Sequence, residues 1–227
     1  MSNVDQFELS YAYSLGAIDV QAIFLDRDGV ICENRSDHVK SWDEFRFLPG
    51  AKRSLAALSQ LGLPIIVVTN QAIVGRKMVP SSVVDDIHLR MVAEIEADGG
   101  RIDRVMYCPH RPGDRCGCRK PESGMLLQSA DEMGIELSAS YLVGDAATDM
   151  LAGQRVGCRL FFVLTGRGFQ QILPAVHAVD DFTITRNLMG VATRIIKAEI
   201  GVPDEMERLS PTYVRRSCRS LSPVSSA

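Results

Sequence analysis

The apolar residues of this 227-residue chain come in short unbroken runs rather than in alternation with polar ones: QAIFL at 21–25, PIIVV at 64–68 and LFFVL at 160–164. A strand with one wet face alternates, whereas one buried on both faces has no reason to. Weaker strand patterns lie at 103–107, 140–143 and 182–184. Between the strands the spacing predicts helices over 51–61, 81–98, 124–133, 147–156 and 187–200. Gly62, Gly99, Gly134 and Gly157 stand where four of these helices stop, the position at which a left-handed turn favours glycine. Ser81 or Ser82 is expected to cap the second helix. Strands alternating with helices and covered on both faces require a parallel sheet with right-handed crossovers. One domain is expected over 21–200, after a weakly patterned lead-in at 1–20. The segment 201–227 is rich in Ser, Pro and Arg and is expected to be disordered.

The charge balance narrows the partners. Twenty-five basic against 28 acidic residues give a formal charge of -3, so no positive excess points to nucleic acid. No run of about 18 apolar residues predicts a membrane span. The N-terminus carries Asp5 and Glu8 where a secretory signal carries Lys or Arg. The expectation is a cytoplasmic protein, monomeric by default, acting on a small phosphorylated metabolite.

The ends of the apolar runs carry the chemistry. Asp26 and Asp28 follow the first run in DRDGV, Thr69 follows the second in VVTNQ, and Asp145 follows the fourth in VGDAATD. In an open parallel sheet, ligands bind beyond the C-terminal strand ends at the switch point. One acidic turn residue after a strand is ordinary loop chemistry; three acids and a hydroxyl converging on one crevice are not. Carboxylates in close proximity repel, and Mg²⁺ is the usual cation that relieves them beside a phosphate. Lys120 and Thr69 supply positive charge and donors for a phosphoryl group. Asp149 has two readings: it orients waters on a metal, or it faces a Lys or Arg near a helix start.

A second cluster is Cys108, His110, Cys116 and Cys118. Three thiols and an imidazole fill a tetrahedral Zn²⁺ sphere and leave no open position, which makes a structural site. In a reducing compartment such a cluster points to metal rather than disulfides. The spacing is tighter than that of a nucleic-acid finger. Cys118 lies two residues before Lys120, so a zinc clip would stiffen the loop that carries Arg119 and Lys120.

DRDGV, VVTN, Lys120 in CRKP and GDAATD, in that order over 21–168, resemble the four motifs of haloacid dehalogenase (HAD) phosphatases. YCPHRP and CRKPESGMLL narrow the resemblance to the D-glycero-D-manno-heptose 1,7-bisphosphate phosphatases, with the histidinol-phosphate phosphatases as relatives. The resemblance implies a doubly wound, Rossmann-like α/β sheet of HAD type, capless, with a zinc-clipped loop. About 20 residues separate Asp28 from Pro49, too few for a cap domain. It implies Asp26 as covalent nucleophile, Asp28 as acid and base, and Mg²⁺ held by Asp26, Asp145 and the backbone carbonyl of Asp28. Thr69 and Lys120 would bind the transferring group and Arg119 the rest of the substrate. Asn34, Arg35, Asp37 and His38 lie in the loop that family members use on the sugar, and Asn70 and Gln71 follow Thr69 into the crevice. Two departures touch binding: Ala146 replaces a frequent Lys, and Ala72 a common Ser. Three alternatives stand beside this reading. One is histidinol-phosphate phosphatase. A polynucleotide phosphatase is disfavoured by the acidic balance. A zinc-stabilised interaction module, docking through Arg215, Arg216 and Arg219, is disfavoured by the retention of both Asp26 and Asp28.

Overall fold

The computed structural model describes residues 20–202; the expected lead-in and nearly all of the expected tail lie outside them. Six parallel strands form one sheet: β1 (Ile23–Leu25), β2 (Ile65–Asn70), β3 (Arg104–Cys108), β4 (Tyr141–Gly144), β5 (Arg159–Val163) and β6 (Thr183–Thr185). Their spatial order is β3-β2-β1-β4-β5-β6. The order reverses between β1 and β4, which pair directly with Leu25 opposite Val143. Crossover helices are α1 (Ala51–Ser59), the short α2 (Ala72–Gly75), α3 (Ser81–Ala97), α4 (Gly124–Met133), α5 (Ala147–Gln154), α6 (Gly168–Ala178) and α7 (Leu188–Glu199).

The unbroken apolar runs are explained by two cores, one on each face. Ile23, Leu25, Ile65, Val67 and Val143 join Leu55, Leu58, Ile87, Met91 and Ile195 from α1, α3 and α7. Their strand neighbours Phe24, Ile66, Val68, Leu142 and Phe162 join Met125, Met150, Ala175 and Val176 from α4, α5 and α6. Successive side chains of a strand point to opposite faces, so burial of both faces demands apolar residues at every position. Gly153 lets α5 lie close on β4 and β5, since a Cβ there would stand 2.5 Å from a Leu160 methyl.

Among the described residues no cap domain covers the crevice. The stretch between β1 and α1 folds back through a 3-10 turn at Trp42–Glu44. It is fastened by Leu48 N–H to the Ile31 carbonyl at 2.9 Å and by stacking of Trp42 on Phe45 at 5.0 Å.

Two local expectations need correction. Neither Ser81 nor Ser82 caps α3: the flanking residue is Pro80 in extended geometry, and no side chain caps the helix. Proline's fixed φ lets the chain enter the helix without a capping hydroxyl. The helix α6 lies where the sequence reading places no helix: Gly168 opens it and Pro174 sits in its interior, both poor helix residues. The spacing of Ile172, Ala175, Val176 and Val179 is the signal that identifies it; all four belong to or pack against the core.

Phe162 is fully buried and meets Phe182 at 5.6 Å. Phe162→Ala is expected to lower unfolding free energy by about 3–5 kcal/mol, measured by urea denaturation with an unchanged m-value.

Candidate active site

The switch point places Asp26 and Asp145 side by side. Each follows its strand by one residue, and Asp26 N–H donates to the Val143 carbonyl at 2.9 Å. Asp149 reaches the same place from the first turn of α5, where its carboxylate also accepts from Ala146 N–H at 3.0 Å. Gly144 makes this approach possible, because a Cβ there would lie 2.2 Å from the Asp149 Cβ. Asp26, Asp145 and Asp149 are all buried, and each offers an oxygen within 4.8 Å of the others. Of its two readings Asp149 takes the one in which it faces a lysine, and it also stands in the carboxylate cluster.

That lysine is Lys120, itself 3% exposed. Its Nζ lies 2.6 Å from Asp149 Oδ1 and 3.1 Å from Asp26 Oδ1, and it donates to the Val68 carbonyl at 2.7 Å. Burial works against its charge, but the two carboxylates outweigh that and raise its pKa. One lysine does not neutralise three carboxylates. Burial pushes Asp26 up to about 6, with Lys120 opposing and Asp149 and Asp28 adding to the rise. Burial, then Asp26 and Asp149, push Asp145 up to about 7. A buried, under-compensated oxygen cluster of this kind suits a hard divalent cation.

Asp28 is the carboxylate left partly open to the cleft, at 20% side-chain exposure. It accepts from Gln71 Nε2 at 2.7 Å and from Arg27 Nη2 at 3.0 Å to both oxygens. Burial raises its pKa, but Arg27 and Gln71 outweigh burial and hold it below the usual carboxylate range. Gln71 also donates to Thr69 Oγ1 at 3.0 Å, tying the β1 and β2 ends together. Asn70 spends both amide atoms on Lys120: Nδ2 donates to its carbonyl at 3.0 Å, and Oδ1 accepts from its N–H at 3.1 Å.

Two glycines roof Asp145. Gly29 (φ +89°) and Gly166 (φ +58°) approach so closely that a Cβ on either would stand 2.1 or 2.3 Å from Asp145 Oδ2. The adjoining Arg167 N–H donates to that oxygen at 2.7 Å. Arg167 and Gln170 reach the cleft from the start of α6; sequence reasoning missed both with the helix.

The cleft measures about 810 Å³. Asn34, Arg35 and His38 line it, as do Thr69, Asn70, Gln71, Arg119 and Lys120. Asp37 does not. It points into ion pairs with Lys40 at 2.6 Å and Arg35 at 3.2 Å. His38 holds a left-handed backbone (φ 66°), uncommon for a residue with a side chain. Its Nε2 lies 3.0 Å from Arg76 Nη1, and burial followed by the Arg76 charge lowers its pKa.

The cysteine–histidine cluster closes one wall. Cys108 Sγ lies 3.2 Å from Cys118 Sγ and 3.6 Å from Cys116 Sγ; His110 Nδ1 lies 3.3 Å from Cys118 Sγ and 3.5 Å from Cys108 Sγ. A tetrahedron with metal–sulfur bonds of about 2.3 Å has edges of about 3.8 Å, so the four atoms fit such an ion after slight expansion. Arg119 Nη1 donates to the His110 carbonyl at 3.0 Å, linking cluster and cleft.

Comparison with known proteins agrees with this geometry. A HAD-hydrolase-like family model matches residues 117–187. A D-glycero-beta-D-manno-heptose-1,7-bisphosphate 7-phosphatase of Pseudomonas aeruginosa is 37% identical over 150 residues, covering 66% of this chain and 84% of that protein. The chain belongs to this family of HAD phosphatases. Another member, the D-glycero-alpha-D-manno-heptose-1,7-bisphosphate 7-phosphatase of Mycobacterium tuberculosis, is 42% identical over 135 residues, covering 56% of this chain and 68% of that protein. The crystal structure of the D,D-heptose 1,7-bisphosphate phosphatase from B. bronchiseptica, complexed with magnesium and phosphate, superposes with a TM-score of 0.76 at 31% identity. It covers 79% of this chain and 99% of that one. The family supplies HAD-type phosphoric monoester hydrolysis, and no helix among the described residues is long and apolar enough to cross a membrane.

The raised carboxylates have a measurable consequence. Between about pH 4 and 7 the folded, metal-free protein holds protons on Asp26 and Asp145 that the unfolded chain has lost, so these two groups lower stability as pH rises. His88, held neutral down to about 3, acts with the opposite sign, equally with and without metal. A cation competes with the two protons. The rise in Tm on adding MgCl₂ is therefore expected to be small near pH 5 and to grow toward pH 7.5; a rise independent of pH would place the ion elsewhere.

Proposed function

We propose that this chain removes the 7-phosphate of D-glycero-D-manno-heptose 1,7-bisphosphate, leaving the 1-phosphate. The observation that carries the reading is the convergence of Asp26, Asp28, Asp145 and Lys120 at the switch point, in a family whose named members act on that bisphosphate. Asp26 is the nucleophile. Its oxygen bonds to phosphorus as the ester P–O bond breaks, and Asp28 gives a proton to the departing oxygen. Arg27 and Gln71 keep Asp28 ionised at rest; the negative charge of an arriving phosphate raises its proton affinity, so the proton is taken up with substrate. Water then attacks the aspartyl phosphate, giving a proton to Asp28. The bond to Asp26 breaks, and inorganic phosphate leaves. Thr69 and Lys120 orient the phosphoryl oxygens. Asp26, Asp145 and the Asp28 backbone carbonyl would hold Mg²⁺, which when bound offsets negative charge on the phosphoryl group. Asp149 holds Lys120 in place.

The lining of the cleft supports a second anionic group on the substrate. Arg35, Arg76, Arg111, Arg115, Arg119 and Arg167 surround it, and guanidinium forks suit phosphate. That favours a bisphosphate over histidinol phosphate, whose remainder carries a cationic amine. Arg167 also brings a cation near Asp145, where Ala146 offers none. Arg119 is assigned to the second phosphate, and Asn34, Arg35 and His38 to the sugar. Asp37 orients Arg35. Asn70 and Gln71 act on substrate through Lys120, Thr69 and Asp28. Zn²⁺ at Cys108, His110, Cys116 and Cys118 is structural, and such a thiolate site suits the cytoplasm. A monomer suffices, because one chain brings all of these groups together.

Phosphate release from both anomers of heptose 1,7-bisphosphate and from histidinol phosphate, with MgCl₂, tests the reading. A preference for a bisphosphate that Asp26→Asn abolishes is expected; histidinol phosphate as the better substrate would overturn it. Purified protein is expected to carry zinc at one atom per chain by mass spectrometry. Cys118→Ser is expected to lose it and to lower kcat/KM by about 10–100-fold, through slack at Arg119 and Lys120.

A further inference from the structure

His88 lies on α3 in an otherwise apolar buried stripe with Val84, Ile87, Met91 and Ile95. It is 5% exposed and does not line the cleft. A buried imidazole needs a hydrogen-bond partner, and His88 Nε2 finds Arg27 Nη1 at 3.0 Å. A guanidinium only donates, so Nε2 must accept and the ring proton sits on Nδ1. The ring leans on Tyr107 at 5.4 Å, and Tyr107 is held by its hydroxyl donating to Asp85 at 3.0 Å.

Arg27 is the largest fully buried side chain among the described residues, and its Nε has no partner. Burying a guanidinium with an orphaned donor is costly, and an apolar residue would fill the same space more cheaply. Among the described residues its two terminal nitrogens make the contacts that repay this: one to His88, the other to both Asp28 oxygens. Gln71 grips Asp28 from another side.

We propose that His88 is a positioning residue for the phosphatase reaction: it anchors Arg27 from α3 so that Arg27 fixes the Asp28 carboxylate facing the leaving oxygen. The inference rests on Asp28 being the acid and base. A positioning defect must appear where proton donation matters. An alkyl leaving group, as in heptose 1,7-bisphosphate, needs the proton; p-nitrophenolate leaves without it. kcat/KM on each reports the step that forms the aspartyl phosphate.

His88→Phe keeps a ring against Tyr107 but removes the acceptor. It is expected to lower kcat/KM on the bisphosphate by about 10–100-fold, and on p-nitrophenyl phosphate by less than about 3-fold. His88→Gln retains an acceptor and is expected within about 3-fold of wild type on both. In an Asp28→Asn background, His88→Phe is expected to cost nothing further. Should the phenyl ring prevent folding, Arg27→Lys reads the contact from the other side, since an ammonium cannot bridge both partners; the same selective loss is expected. Equal losses on the two substrates, or none on either, would overturn the proposal. Full bisphosphate turnover by Asp28→Asn would instead overturn the acid–base reading on which it stands.

Discussion

Everything in the cleft is arranged around a buried ammonium. Lys120 sits between Asp26 and Asp149 with its third donor on the β2 backbone, so it joins three parts of the chain that share no sequence neighbourhood. A charge that deep is tolerable only when paired. The pairing also works in reverse, since Asp26 and Asp149 would be costlier still without it. The cluster nonetheless keeps a surplus of negative charge, and that surplus gives a cation its place. A completed set of ion pairs would be more stable and chemically idle.

The fold was largely legible because double-sided burial leaves a plain mark: unbroken apolar runs ending in Asp26, Thr69 and Asp145 read directly as strands of a parallel sheet. Those strand ends are fixed to the sheet register, so Asp26, Thr69 and Asp145 could be assembled on paper, and the CRKP motif added Lys120 from its loop. What escaped was set by tertiary contact. Pro174 and Gly168 disguised α6, and Arg167 and Gln170 were lost with it. Asp37 was placed with its loop neighbours, but its carboxylate is drawn away by Lys40, a preference that loop membership does not encode. Arg27 stands between two aspartates in DRDGV with no signal of its own. Its partner His88 lies 61 positions away on α3, and nothing local announces a hydrogen bond between that helix and the end of β1.

The cysteine–histidine loop shows how a small fold shapes a cleft without a cap domain. The wall that a cap would provide is built from a segment with little apolar material of its own. Three thiols and an imidazole gather at one point there, and the arginines carried on that segment, Arg111, Arg115 and Arg119, all border the cleft. An arginine-lined wall thus adjoins a cluster of a size that fits one metal ion.

The Asn70 amide has a further consequence. By accepting from Lys120 N–H and donating to Lys120 C=O, it imitates the backbone of an adjoining strand, so the lysine is held in register as though it were one more rung of the ladder. The residues between His110 and Cys116 carry no such tie. Insertions, deletions and new side chains in that stretch can therefore reshape the cleft wall, while the carboxylate cluster stays where the sheet put it. The cleft wall and the carboxylate cluster are thus anchored independently of one another.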